Sequence, residues 1–156
     1  MLVQEIFEWN EVRDNLEFNG HLEYEMMLEE VDEFVWALPK ALKEKFGELT
    51  QEETDEKMPE LIEFLESKEG RADVMAHRLD ALADVVFVAI GGMCKITKNP
   101  SLVEDVFYAV LAANNLKSKE KNEEGKITKP EGFVGPESMI KKIALEVLDN
   151  GEEETL

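Results

Sequence analysis

The stretch from Arg71 to Lys95, RADVMAHRLDALADVVFVAIGGMCK, constrains the fold of this chain more than any other. Its apolar residues recur at helical spacing and its second half is apolar nearly all round, so it reads as a helix central to the fold. Four polar side chains interrupt it on one stripe: Asp73, His77, Asp80 and Asp84 follow a 4, 3, 4 spacing that stacks them on a single side. Asp80 and Asp84 fall where burial is expected on nearly every side, and a lone carboxylate in a low-dielectric interior would sooner protonate than stay charged.

The flanking sequence is also helical in pattern, because only nine glycines and five prolines punctuate 156 residues. Val3, Ile6, Phe7, Val12 and Leu16 predict a helix over residues 3–18, ended by Asn19-Gly20. From residue 21 to 47, Leu22, Met26, Val31, Phe34, Val35 and Leu38 share a face. Pro39 marks a kink or break there, and Gly47 a stop. Thr50 and Glu53 have capping-box spacing, ahead of a short amphipathic piece around Leu61, Ile62, Phe64 and Leu65 that reads as a helical insertion or lid. Asn99, Pro100, Ser101 and Glu104 signal another helix start, with Ser101 and Glu104 spaced for a capping box. That helix runs through LVEDVFYAVLAANNLKSK, and a polar loop, KEKNEEGKITKPEGFVGP, leads to a last amphipathic helix, ESMIKKIALEVLDN, and an acidic tail. No repeats and no series of strands are visible. The expectation is an all-α, four-helix-type bundle with additional short helices: one domain over residues 1–150, with a tail at 151–156.

Charge narrows the partners. Against 36 Asp and Glu stand 17 Lys and Arg, a formal charge of −19, which repels nucleic acid and anionic membranes unless basic residues are concentrated or a cation inverts the local sign. The hydrophobic share of 44% argues against disorder. The single cysteine, Cys94, excludes an internal disulfide and a Cys-based zinc site. The first residues, MLVQEIFEWNEVRDN, lack the basic start and apolar run of a secretory signal, and no apolar run suits a bilayer, so the cytoplasm is the expected location.

Acids placed on or beside an apolar face carry the chemistry. At about 100° per residue, Glu29, Glu30 and Glu33 fall within roughly a quarter turn of one another, with Glu25 one turn earlier. Glu30 and Glu33 on one helix, facing Asp80 and Asp84 on another, would hold a hard divalent cation, since magnesium takes oxygen ligands from a few carboxylates together with substrate phosphates. The plainer alternatives are a solvated face for the glutamates, salt bridges from Arg71 or Arg78 to the aspartates, and a packed or hydrogen-bonded His77. A second constellation is the loop carrying Lys117, Lys119, Lys121, Lys126 and Lys129, after Asn114 and Asn115. It is the local exception an anionic ligand would need, or else a solvated loop offset by Glu120, Glu123 and Glu124.

Three segments in this order, EEVDEF at 29–34, LDALADVVFVAIGG at 79–92 and ANNLKSKEKNEEGKITKPEGFVGP at 113–136, resemble the all-α nucleoside triphosphate pyrophosphohydrolases, the superfamily of MazG, phosphoribosyl-ATP pyrophosphohydrolase and the dimeric dUTPases. The last two look most like the phosphoribosyl-ATP pyrophosphohydrolase-like branch. The resemblance implies a MazG-like bundle and a magnesium-dependent enzyme, with manganese as a possible substitute, that cleaves a nucleoside triphosphate to a monophosphate and pyrophosphate. It implies Glu30 and Glu33 as the family's ExxE, Glu29 as its extra acid, and Asp84 as the final aspartate. Three residues before Asp84 stands Ala81 where the family has Glu, and Asp80 offers the replacement. Glu29 or Glu30 would position or deprotonate water; Asn114 or Asn115, with Lys119 and Lys126, would meet the phosphates; Trp9 or Phe18 would select the base.

Two other readings compete. A ferritin-like di-iron bundle wants two ExxH motifs, and neither His21 nor His77 has a glutamate three residues before it. A non-catalytic acidic helical interaction protein predicts acids dispersed on outer faces. Apolar surface such as Met26, Met27, Val86 and Val88 predicts a fold completed by a homodimer or homotetramer, as the resemblance also implies.

Overall fold

The computed structural model describes residues 2–150, and these form seven helices: α1 (Leu2–Glu11), α2 (Gly20–Phe46), α3 (Gln51–Glu56), α4 (Met58–Glu66), α5 (Lys68–Thr97), α6 (Pro100–Asn115) and α7 (Glu137–Asn150). Among the described residues there is no strand, only an isolated antiparallel bridge between Lys121 and Ile127. The tail at 151–156 lies outside the described residues. No helix among them is long and apolar enough to cross a membrane. The chain divides into two compact units, one of Asn19–Ala89 and one of Met1–Phe18 with Ile90–Leu156.

In the Asn19–Ala89 unit, α2 and the first part of α5 form an antiparallel hairpin. Lys45 Nζ lies 3.0 Å from Glu69 Oε1 near one end, and the Arg78 guanidinium sits 5.8 Å from the centre of the Phe34 ring further along. The side chains that let the helices approach are small: Ala37 and Ala41 on α2 and Ala81 on α5 are almost wholly buried. α4 closes the end of the hairpin with buried Leu61 and Phe64, the Phe64 ring meeting Phe46 edge-on at 5.6 Å. At the α4–α5 junction Ser67 Oγ donates to Phe64 O at 2.6 Å and accepts from Gly70 N at 3.0 Å. The chain turns so tightly there that a Cβ at Gly70 would lie 2.1 Å from Phe64 O.

In the other unit α6 packs on both α1 and α7. Val3 and Ile6 of α1 and Leu102, Val103, Ala109 and Ala113 of α6 are buried. Ile90 and Cys94 on the last part of α5 are buried as well. A Cβ at Gly91 would lie 3.4 Å from Asn10 Nδ2.

Local signals placed several boundaries correctly. Asn19 caps α2 by accepting from His21 N and Leu22 N, and Gly47 ends it with φ of 79°. Thr50 and Glu53 form the capping box of α3. Three expectations change. α1 stops at Glu11, short of residue 18, because the buried Asn10 side chain donates to Ile6 O and accepts from Asn15 Nδ2 while Asp14 takes a φ of 52°. α2 continues through Pro39 without a break: the lost N–H falls on an exposed side, and buried Ala37 and Ala41 on either side hold the helix to its neighbours. α6 is capped by Asn99, whose side chain accepts from Ser101 N at 3.0 Å, so Ser101 lies inside the helix and is not its cap.

Candidate functional site

The α2/α5 hairpin gathers the candidate acids on one face. His77 Nε2 stands 2.9 Å from Glu44 Oε2 and marks that face, opposite the Phe34–Arg78 contact. Glu30 is partly buried at the middle of α2, and its carboxyl is raised above the ordinary glutamate range by partial burial first, then by the charges of Asp84, Glu33, Glu29 and Asp80. The other four candidate acids therefore stand within electrostatic reach of Glu30, drawn from two helices by the antiparallel pairing. Glu33 also pairs with Lys40, 3.3 Å from Oε2 to Nζ.

Asp80 and Asp84 depart from expectation: both are exposed, where the apolar sequence around them predicted burial. Between residues 79 and 86 of α5 only Ala81 is enclosed, while Leu79, Leu82 and Val86 stand 47–60% open. A helix that pairs with one neighbour in its own unit covers one stripe, and the rest of its circumference stays open. Neither arginine neutralises the aspartates: Arg78 stacks toward Phe34, and Arg71 donates from Nε to Ser67 O at 3.2 Å. His77 is the hydrogen-bonded histidine of the plainer reading, and its partner Glu44 was not singled out from sequence because it lies 33 residues away.

As ligands the five acids offer carboxylate oxygens alone, a donor set suited to magnesium or manganese and not to softer metals. In the conformation described, no three carboxylate, imidazole or thiol side chains among the described residues converge closely enough to hold a metal ion. The fit rests on donor chemistry and on the mutual repulsion at Glu30, which a cation would relieve.

The remaining candidates belong to the other unit. Asn114 and Asn115 are the last residues of α6, both exposed. Asn115 lines an open cavity of about 610 Å³ between α6 and α7 together with Tyr108, Met139 and Lys142. Sequence reasoning missed Tyr108 and Lys142, and no local signal marks them, since α7 brings Lys142 to α6 from 27 residues beyond Asn115. Lys119 and Lys126 are exposed on a loop shaped by Ser118 N donating to Thr128 O and Asn122 N donating to Lys126 O; Lys126 Nζ lies 3.0 Å from Glu124 Oε2. Trp9 on α1 is 40% exposed, with the Arg13 guanidinium 4.2 Å above its ring. Compared with protein families, curated proteins and solved structures, the chain matches none. The likeness to the all-α pyrophosphohydrolases therefore rests on the three quoted segments themselves.

Proposed function

We propose that this chain is a magnesium-dependent nucleoside triphosphate pyrophosphohydrolase of the MazG-like, all-α kind, with Glu30, Glu33, Asp80 and Asp84 as its metal-binding acids. The observation that carries the proposal is the setting of Glu30, partly buried and repelled by Asp84, Glu33, Glu29 and Asp80. Structural ion pairing ordinarily mixes signs, whereas like charges drawn from two helices onto one acid are a feature of sites that receive a cation.

A bound divalent cation supplies charge neutralisation at the triphosphate and a water of lowered pKa. Glu30, whose proton affinity is raised, takes the proton from water as its oxygen bonds to the α-phosphorus and the bond to the pyrophosphate oxygen breaks. Glu29, one residue away, is the other candidate for that role. Glu33, Asp80 and Asp84 provide the fixed negative charge that retains the cation. For Asn114, Asn115, Lys119, Lys126 and Trp9 the proposal is substrate contact, the lysines meeting phosphate and Trp9 the base.

The test is pyrophosphate release from a panel of canonical and modified triphosphates with magnesium or manganese. Wild-type protein releases pyrophosphate from at least one of them. Glu33→Gln and Asp84→Asn lower kcat by about 100-fold or more, and Lys119→Ala with Lys126→Ala raises KM. Full activity in both acid variants would make the ligand assignment wrong. The exposure of Asp80 and Asp84 favours a second reading, a non-catalytic acidic helical interaction protein. That reading predicts no pyrophosphate release from any triphosphate and no saturable magnesium binding by titration calorimetry.

A further inference from the structure

The cleft between α6 and α7 carries chemistry that the acids of the hairpin do not use. Asp105, Tyr108, Ala109, Ala112 and Asn115 follow one another at 3, 1, 3 and 3 on one side of α6, a line of about 15 Å. Met139, Lys142 and Ile143 of α7 line it from the other helix. Its volume of about 610 Å³ is that of a small-molecule site, and its lining has the composition of one: mostly apolar, with a few polar groups of different kinds. Those groups are the Asp105 carboxylate, the Tyr108 phenol, the Asn115 amide and the Lys142 ammonium. All four residues are exposed, and among the described residues none of these side chains is engaged in a hydrogen bond or ion pair.

We propose that this cleft binds a nucleoside monophosphate, without a metal ion. Ala109, 1% exposed, and Ala112 present only methyl groups, so the α6 wall admits a flat ring beside the Tyr108 phenol. The Met139 thioether is a soft contact for the same ring. Asn115 offers a donor and an acceptor to the edge of a base, Asp105 accepts from ribose hydroxyls, and Lys142 meets phosphate as a point charge. Charge sets the number of phosphates. Lys142 is the one cation and Asp105 the one acid among the described residues that line the cleft, in a chain of net charge −19, so the added charge of a triphosphate would meet nothing that offsets it. A plain aromatic acid would leave Asp105 and Asn115 unmatched, and free phosphate would leave the apolar lining bare. Of the residues proposed for substrate contact, only Asn115 lines the cleft. The inference does not rest on the proposed hydrolysis, although a monophosphate is what that reaction would release.

The full chain, in chelator, is titrated calorimetrically with nucleoside monophosphates carrying adenine, guanine, cytosine, uracil or thymine. At least one binds saturably with Kd below about 1 mM, and about 10-fold or more tightly than its triphosphate, phenyl phosphate or inorganic phosphate. Tyr108→Ala and Lys142→Glu each weaken that binding by about 10-fold or more, with helical circular dichroism retained. Pyrophosphate release is a separate readout: monophosphate binding in chelator persists in Asp84→Asn whether or not that variant hydrolyses a triphosphate. Absence of saturable binding by every monophosphate overturns the proposal, as does equal affinity for phenyl phosphate, inorganic phosphate or the triphosphate. Folded variants that bind as before overturn it as well. A measurement without substitution guards against a variant that does not fold. Met139 is 50% exposed and Met75, on α5, 58% exposed. In methyl NMR of wild-type protein, the monophosphate shifts the Met139 resonance and leaves that of Met75 in place. A Met139 resonance that does not move at saturation overturns the proposal.

Discussion

His77 Nε2 lies 2.9 Å from Glu44 Oε2, joining α5 to α2 across the acidic face of the hairpin. The imidazole is largely enclosed, at 17% exposure, while the carboxylate is 57% exposed. His77→Ala removes the bond and part of the packing at once, and is expected to cost about 1 kcal/mol, seen as a fall in Tm of about 2–4 °C by circular dichroism. Glu44→Gln keeps an acceptor in place and is expected to lose less. An unchanged Tm in His77→Ala would show that the contact does not hold the hairpin.

Glu30 should respond to pH and to metal in opposite senses. Its carboxyl is raised, by partial burial and then by Asp84, Glu33, Glu29 and Asp80, so the folded protein holds this proton more tightly than the unfolded chain does. Its contribution to stability is therefore lost as pH rises from the ordinary glutamate value of 4.5 through the raised one. In chelator at neutral pH, Glu30→Gln relieves the repulsion and is expected to raise Tm by about 1–2 °C. Added magnesium is expected to raise the wild-type Tm and to raise that of Glu30→Gln less. Thermal melts at pH 4 to 8, with and without metal, check both.

At Gly70 the backbone leaves no room for a side chain, since a Cβ there would meet Phe64 O at 2.1 Å. Backbone atoms cannot swing aside as a side-chain end can. Gly70→Ala is expected to cost about 2–3 kcal/mol in urea unfolding. Gly47, with φ of 79° and open space around it, tests backbone conformation alone, and Gly47→Ala is expected to cost about 1 kcal/mol. A Gly70→Ala cost no larger than that of Gly47→Ala would contradict the close approach.

The capping box of α3 sets an acid limb. Thr50 N and Oγ1 both donate to Glu53 Oε2 at 2.8 Å, which holds the Glu53 carboxyl below its ordinary value. For a lowered carboxyl, the stabilisation is present above the unfolded value of 4.5 and is lost as pH falls through the folded one. Thr50→Ala is expected to cost about 1 kcal/mol at neutral pH, and Glu53→Gln to flatten the acid limb of local unfolding. Amide exchange at Glu53 and Thr54 between pH 3 and 6 reads both.

The sequence by itself determined the helices and several of their ends, because those depend on residues within a few positions. Asn19 before α2, Gly47 after it, and Thr50 with Glu53 at α3 satisfy backbone groups that any helix leaves open, wherever the helix packs. It also determined that Glu29, Glu30 and Glu33 share one side of a helix and Asp80 and Asp84 one side of another, through periodicity alone. Only the tertiary structure decided the rest. The pairing of α2 with α5 brings Asp84 and Asp80 to Glu30 across about 50 residues of chain and joins Glu44 to His77. Burial is a property of neighbours: Ala81 is enclosed while Asp80 and Asp84, in the same apolar run, stay open. Pro39 shows the same balance, since local chemistry argues for a break and the packing of Ala37 and Ala41 keeps α2 whole.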